Sequence, residues 1–362
     1  MMIARSEVAH TGQQVVDGDG VLMRQAVGTW LWLVAALVLV MVAVGGATRL
    51  TGSGLSITEW QPIMGAVPPL SDADWQEAFA RYRQIPQYAR VNAGMSLAEF
   101  KSIFWWEWGH RLLGRLLGVV FAAPLAWFWW RGAIRGRLRG QLVGLLALGG
   151  LQGAIGWHMV QSGLVDRVSV SQYRLALHLT MAIVIFGALV WIALSLGARE
   201  RRPIRLDTVR PGQVRLGLVL GLAVLVQIVL GAFVAGLKAG LTYNTWPLMD
   251  GRLLPDGLLA LSPWYLNPFE NITLVQFDHR LMAYTVLALA TWHALSLWRH
   301  ADDERVAHSA LALLAAILAQ AGLGIWALLA VVPLPLGIAH QAGAVIVFGI
   351  AVWHLHRLTR RG

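Results

Sequence analysis

Eight apolar stretches of about 20 residues constrain the fold of this chain more than any other feature. A helix of roughly 20 apolar residues is long enough to cross the hydrocarbon core of a bilayer. Of the 362 residues, 57% are hydrophobic and 13% are charged. The sequence therefore predicts an all-α polytopic membrane protein with eight transmembrane helices. The predicted spans are 28–48, 109–130, 141–160, 173–197, 214–236, 277–298, 308–331 and 337–356.

Arginines follow the second, fourth and eighth spans, whereas the connections after the third and seventh spans have few charges. Because positively charged connections stay on the cytoplasmic side, both termini are predicted to be cytoplasmic. The long loops 49–108 and 237–276 then face the other side. Topology also accounts for the net charge of +10, so we expect no nucleic-acid partner. Residues 1–27 lack the pattern of a cleavable signal peptide and are predicted to be a cytoplasmic segment.

The chain contains an internal duplication. Glycines and a tryptophan in the first long loop recur 186 residues later (45 to 231), and each copy leads to two histidines at the heads of later spans. A repeat of this kind predicts two four-helix bundles in parallel orientation. We assign 28–205 to the first half and 206–362 to the second, with an arginine-rich hinge at 198–213. The repeated histidines are His110 and His178 in the first half and His279 and His340 in the second.

Each histidine pair is predicted to lie at matched depth, towards the outer side of the membrane. Neutral imidazole is a good ligand for haem iron, and a four-helix bundle can hold a flat macrocycle. A single buried histidine is more often a hydrogen-bonded core residue. The repeated pattern favours ligation, because polar groups at this depth are costly unless they face a site. Zinc is the competing metal, but two histidines without a carboxylate or cysteine make a poor zinc site, and the chain has no cysteine.

The two halves differ in the residues beside the first histidine. Glu107 precedes His110 by three residues and shares its helix face, whereas the matching Gln276 cannot titrate. A carboxylate there could move protons or stabilise charge on a substrate; alternatively it is solvated or pairs with Arg111. Arg111 and Arg280 follow the histidines, either as partners of haem propionates or as headgroup anchors. The asymmetry predicts that the first half does chemistry and the second holds a permanent cofactor.

A second histidine pair raises a further hypothesis. His293 and His354 each lie 14 residues after His279 and His340 (293 − 279 and 354 − 340). Fourteen helical residues span about 21 Å and return to nearly the same face. This spacing is typical of a dihaem cytochrome b and suggests a second b-type haem in the second half. The alternative is that His354 is an interfacial histidine at the membrane border.

Five blocks of sequence resemble a known family. Together they are highly specific, although each alone is a weak signal. The chain resembles the haem A synthases, in particular their proteobacterial and mitochondrial branch, over about residues 28–356. The blocks are GGATRLTGSGLS at 45–56, EWGHR at 107–111, NTWPLM at 244–249, FDHR at 277–280 and AHQ at 339–341.

The resemblance implies an integral membrane oxidoreductase that oxidises the C8 methyl group of haem O to the formyl group of haem A. The N-terminal segment favours a bacterial inner membrane over that of an organelle. The resemblance also implies two successive hydroxylations, with haem A supplied to cytochrome c oxidase. By position, His279 and His340 match the axial ligands of a resident haem b. His110 and His178 match the pair that handles haem O on the periplasmic side, and Glu107 matches the family's essential carboxylate.

The implied partners are haem O and membrane lipid, with functional links to haem O synthase and cytochrome c oxidase assembly. The electron donor, the source of the oxygen and the oligomeric state have no signal in the sequence. Two other classes of protein stay open at this point. A dihaem electron-transfer cytochrome would need no role for Glu107, and a haem chaperone would bind haem O without changing it. A transporter is disfavoured, because the repeats are parallel and the polar groups cluster on one side rather than at the midplane.

Overall fold

The computed structural model describes residues 4–61, 63–197, 209–301 and 303–359, with the side chains of the first helix from Gly20 onward. Within these ranges the regular secondary structure is helical, apart from one isolated bridge between Met249 and Arg252. Eight of the described helices are long and apolar enough to cross a membrane, which confirms the predicted all-α polytopic class. The helices are α1 (Ala4–Leu50), α2 (Asp72–Tyr82), α3 (Pro86–Arg90), α4 (Leu97–Trp130), α5 (Gly136–Leu164), α6 (Gln172–Gly197), α7 (Pro211–Gly236), α8 (Asn267–Glu270), α9 (Ile272–His300), α10 (Glu304–Leu329) and α11 (Leu334–Thr359).

Two helices begin much earlier than the apolar pattern predicts, by 24 residues for α1 (28 − 4) and by 12 for α4 (109 − 97). Helix α1 is already helical at Ala4, so the segment predicted at 1–27 runs directly into the first span. Helix α4 begins at Leu97 because Ser96 and Glu99 form a capping box, each side chain accepting a hydrogen bond from the other's backbone N–H. The predicted hinge at 198–213 lies mostly outside the described residues.

The long helices pack as two rings of four. Helices α1, α4, α5 and α6 contact one another in a closed ring, as do α7, α9, α10 and α11. The rings meet through three helix contacts, α1 with α11, α6 with α7, and α6 with α11. Helices α6 and α11, one from each ring, therefore lie at the centre of the interface between the rings, and we call them the central helices.

The contact between α6 and α11 is reciprocal. A Cβ atom added at Gly349 would lie 3.2 Å from the ring of Phe186, and one added at Gly187 would lie 2.8 Å from the ring of Phe348. Small residues allow such close approach of helices, and close packing drives their association within a membrane. Helix α6 thus packs an aromatic ring against a glycine of α11, and α11 packs one against a glycine of α6.

The loop from 51 to 96 folds into a cap over the extended start of α4. Helix α2 and the start of α4 together form a buried aromatic cluster, and the Gln87 Nε2 amide of α3 donates to Gly52 O at 3.0 Å. Burial raises the pKa of the Tyr82 phenol. The cluster contains Trp75, Phe79, Tyr82, Phe100 and Phe104. The cap and the loop from 237 to 271 lie at the same end of the helices, which we call the loop end.

Candidate active site

The four repeated histidines lie towards the loop end, one on each of four helices. His110 is on α4, His178 on α6, His279 on α9 and His340 on α11. His110 and His178 lie on two helices of one ring, and His279 and His340 lie on two helices of the other. The structure thus places each predicted pair within one ring of helices.

Each imidazole rests on a glycine of the preceding long helix. We name this arrangement the glycine cradle. A Cβ atom added to any of the four glycines would come within 3.1 Å of a ring atom, closer than side chains tolerate without movement. The cradle pairs are Gly45 with His110 (3.0 Å), Gly156 with His178 (2.9 Å), Gly231 with His279 (3.1 Å) and Gly324 with His340 (2.7 Å).

A glutamine one turn before the glycine holds three of the four histidines. In each case the glutamine Nε2 donates to the backbone carbonyl of the histidine and lies 3.1–3.2 Å from its Nδ1. The donor distances to the carbonyls are 3.0 Å for Gln152 and His178, 3.1 Å for Gln227 and His279, and 2.7 Å for Gln320 and His340. These glutamines were not predicted as site residues, although the spacing Gln-x-x-x-Gly recurs in the sequence at 152–156, 227–231 and 320–324.

The donor set fits an iron porphyrin better than a metal held by protein alone. The described residues contain no group of three or more histidine, cysteine, aspartate or glutamate side chains that could hold a metal ion. Haem iron brings four nitrogens of its own and takes its axial ligands from the protein, so a pair of imidazoles suffices. The Oε1 atoms of Gln152 and Gln227, beside these pairs, are buried without a hydrogen-bond partner in the described part of the chain.

Glu107 is the hub of a buried polar network in the first half. Its side chain is 3% exposed and forms an ion pair with Arg111, with Nη2 to Oε1 at 2.6 Å. The other carboxylate oxygen accepts hydrogen bonds from Ser56 Oγ and from the backbone N–H of Ile57, both at 2.8 Å. Of the alternatives left open by the sequence, pairing with Arg111 is therefore confirmed and a solvated carboxylate is wrong.

The arginines that follow the first histidines both hold a long loop. Arg111 donates to Ile57 O at 2.7 Å, and Arg280 donates to Tyr243 O and Thr245 O, each at 2.9 Å. Gln276, at the position of Glu107, donates to Tyr243 O at 3.3 Å and makes no ion pair. Each half thus has an arginine that binds its long loop, but only the first half has a carboxylate at the position of Glu107.

Arg49 lies one helical turn beyond Gly45, on the face of α1 that meets His110. It is partly buried, and no side chain or carbonyl of the described residues pairs with its guanidinium. Residue 235, the counterpart in the second half, is alanine. An uncompensated arginine within a membrane bundle is costly, so this cation is suited to an anionic ligand.

Comparison with known proteins agrees with this geometry. The family of the cytochrome oxidase assembly protein matches residues 28–352. The chain belongs to this family. A protein of Parvibaculum lavamentivorans named Heme A synthase is 53% identical over 335 residues, which cover 92% of this chain and 95% of the relative. Proteins of the same name from Chelativorans sp. (55% identity, 90% and 89% covered) and Brucella ovis (54% identity, 91% of both covered) are also similar. The resemblance inferred from the sequence is confirmed.

The second histidine pair of this family member lies at the other end of α9 and α11. His293 and His354 are each 1% exposed, and their Nε2 atoms are 2.8 Å apart in a direct hydrogen bond. Ser309 Oγ lies 2.8 Å from Nδ1 of His354. Metal–imidazole bonds are roughly 2 Å long, so nitrogens on opposite sides of one iron lie about 4 Å apart. The hypothesis of a second b-type haem is not confirmed, because the rings form a hydrogen-bonded pair.

The glycine cradle makes a direct prediction for α10. Gly324→Ala places a methyl group 2.7 Å from the His340 ring and is expected to lower haem retention in the second half by roughly tenfold or more, as loss of ligand orientation does. Gly322→Ala on the same helix meets nothing within 4 Å and serves as the control. The measurement is haem bound per protein after gel filtration. Equal retention by the two variants would contradict a steric role for Gly324.

Proposed function

We propose that this chain is a haem A synthase that oxidises the C8 methyl group of haem O to a formyl group by successive hydroxylations. One observation carries the proposal. Two histidine pairs sit on matching glycine cradles, but among the described residues the one fully buried carboxylate, Glu107, lies beside the first pair, whereas Asp278 beside His279 is only partly buried. This asymmetry fits one site for chemistry and one for a resident cofactor. Relatives with 53–55% identity that are named Heme A synthase support the same function.

The second half is proposed to hold haem b. His279 and His340 would supply both axial ligands. Gln227 and Gln320 donate to the backbone carbonyls of these histidines and lie 3.1–3.2 Å from their Nδ1 atoms. A bound haem of this type supplies one-electron transfer. Gln276, at the position of Glu107, carries no charge and cannot accept a proton as a carboxylate can. The carboxylate nearest in sequence to His279 is Asp278, which is only partly buried.

The first half is proposed to hold haem O as substrate. His110 and His178 would contact its iron, and Arg49 would pair with a propionate carboxylate. Glu107 lies three residues before His110, so its carboxylate is on the same helix face. It is the group suited to accept or deliver the proton that accompanies each hydroxylation. The cap, fastened through Ser56 and Arg111, excludes water from this carboxylate.

The proposed architecture is two parallel-repeat four-helix bundles, 28–205 and 206–362, after a cytoplasmic segment at 1–27. The closed rings of helices and the reciprocal packing of α6 and α11 support the repeat. At the end opposite the loops, arginines stack on tryptophans in an interfacial belt, for example Arg131 on Trp127 at 5.7 Å. This supports cytoplasmic termini and haem sites on the periplasmic side of a bacterial inner membrane.

The proposed partners follow from the chemistry of the substrate and product. Haem O is made by haem O synthase, and haem A is required by cytochrome c oxidase, so a functional link to both is expected. Membrane lipid surrounds the apolar outer faces of the helices, where large side chains such as Leu151, Val219 and Leu222 are exposed.

Pigment analysis tests the function. The protein is expressed in cells with and without a haem O synthase, and the extracted haems are separated by chromatography. Haem A or its hydroxylated precursor is expected only where haem O is supplied. Recovery of unchanged haem O would favour a haem chaperone, and recovery of haem b alone in both cases would favour an electron-transfer cytochrome. Either result would defeat the proposal.

The inner pair is proposed to take no part in haem binding. His293→Gln keeps a side chain that can hydrogen-bond to His354 but removes the imidazole ligand. We expect the ratio of haem to protein to stay at the parent value, measured by the pyridine haemochrome method. Loss of one haem per chain, with the pigments of the outer sites retained, would restore the hypothesis of a second b-type haem.

A further inference from the structure

Three of the four glycine cradles have a glutamine four residues before the glycine, and the cradle at His110 has a different residue there. Counting one turn back from the cradle glycine gives glutamine at 152, 227 and 320, but methionine at 41. Methionine has no amide group, so it can form a hydrogen bond neither to the histidine carbonyl nor to the ring nitrogen. In the part of the chain that the structure describes, the His110 side chain has no hydrogen-bond partner. The other three candidate ligands each have one.

The methionine comes with a second substitution on the facing helix. The residue one turn after the histidine is alanine in three sites, at 182, 283 and 344, and glycine at 114. The Met41 methyl group packs there, 3.3 Å from the position that a Cβ atom of residue 114 would occupy. An alanine at 114 would press on that methyl group. Met41 and Gly114 therefore form a matched pair, which argues against a chance replacement at one position.

Hydrogen bonds to a ligating imidazole fix its orientation, and their loss typically weakens metal binding roughly 10–100-fold. Methionine instead offers a flexible, apolar side chain that adapts to movement of its neighbours. A resident cofactor needs ligands that stay in place. A substrate that must enter, react and leave needs at least one ligand that releases it.

We propose that Met41 is a positioning residue that makes His110 the releasable ligand of the substrate haem. This inference rests on the proposed function, since it assigns haem O to the first half. The second half keeps both glutamines, Gln227 and Gln320, and so retains its haem. In the first half, Gln152 holds His178 in place. His178 then stays bound to the substrate iron while His110 dissociates from it.

The test introduces at position 41 the hydrogen-bonding amide that this site lacks. Met41→Gln, alone and with Gly114→Ala, reproduces the pattern of the other three sites, and Met41→Leu is the matched control without a donor. Each variant is purified after expression with a haem O supply and mixed with excess apo-globin as a haem acceptor. Chromatography of the remaining pigment follows haem O and haem A separately from haem b. We expect Met41→Gln to slow release of haem O and haem A roughly 10–100-fold, with haem b release unchanged.

The reverse change in the second half completes the comparison. Gln227→Met is expected to increase the rate of haem b release. Met41→Leu is expected to leave the rate of haem b release at the parent value. If the parent holds haem O but Met41→Gln releases it at the parent rate, the inference about Met41 is overturned and the proposed function stands. If the parent holds neither haem O nor haem A in any preparation, the proposed function itself fails. Retention of haem b by Met41→Gln shows that the variant is folded.

Discussion

Glu107→Gln is expected to lower the rate of haem A formation by roughly 100-fold or more, the range typical of a lost proton-transfer group. The change removes the charge and keeps the size of the side chain. It also disturbs the buried network, because an amide has one acceptor oxygen where the carboxylate has two. That network supplies donors to both oxygens, Ser56 and Ile57 on one side and Arg111 on the other. Haem A is measured by chromatography, and resident haem b by absorbance.

A catalytic role for Glu107 must be separated from its role in fastening the cap. Removing one member of a buried ion pair is strongly destabilising, by roughly 3–5 kcal/mol, so a structural defect alone could lower activity. Arg111→Lys tests this, since it disrupts the same contact while leaving the carboxylate and both charges. We expect Arg111→Lys to keep far more activity than Glu107→Gln at similar thermal stability. An equal loss of activity in the two variants would show that Glu107 acts by holding the cap in place and not in catalysis.

A matched control lies in the same loop. Glu59→Gln makes the same chemical change at an exposed carboxylate that pairs with Arg81 on the surface of the cap. Exposed ion pairs contribute little to stability, typically below about 1 kcal/mol. The rate of haem A formation should therefore stay near the parent value. A large effect of Glu59→Gln would show that the cap, rather than the buried carboxylate, limits the reaction.

The sequence predicted the class of fold and the histidine pairing because both depend on periodicity. Eight apolar spans can be counted from composition, and equal depth follows from equal distance to the start of each span. The start of α4 was missed, since residues 97–108 mix polar and aromatic side chains that belong to the cap rather than to lipid. Hydropathy alone does not show a capping box such as Ser96 with Glu99, which extends the helix.

Side-chain partners were harder to predict than helix positions. A 14-residue spacing places His293 and His354 on the same faces as the outer pair, but spacing does not distinguish two rings that bind one iron from two rings that bond to each other. Similarly, the Gln-x-x-x-Gly motif was visible three times, yet its meaning depends on which helix faces which. The contact between Gln227 and His279 joins residues 52 positions apart, and only the fold brings them together.

The other large effect concerns the resident cofactor. His279→Gly is expected to lower the haem b content of the purified protein strongly and to abolish its six-coordinate spectrum, because one of two axial ligands is lost. His178→Gly, the matched change in the first half, should leave haem b at the parent ratio to protein while reducing bound haem O. Pigment extraction and chromatography measure both in one preparation. This pair of variants tests the assignment of one haem to each half.

Added imidazole distinguishes ligand loss from misfolding. The His279→Gly variant leaves a cavity beside Gly231 and Gln227 of the size of the missing ring, and free imidazole can occupy it. We expect the haem b spectrum to return when imidazole and haem are supplied together, with a midpoint that shifts when Gln227→Met is added. If His279→Gly keeps haem b with the spectrum of the parent and without imidazole, His279 is not a ligand of the resident haem. In that case the division of labour between the halves would be wrong, because it depends on a charged Glu107 serving one haem and an uncharged Gln276 serving the other.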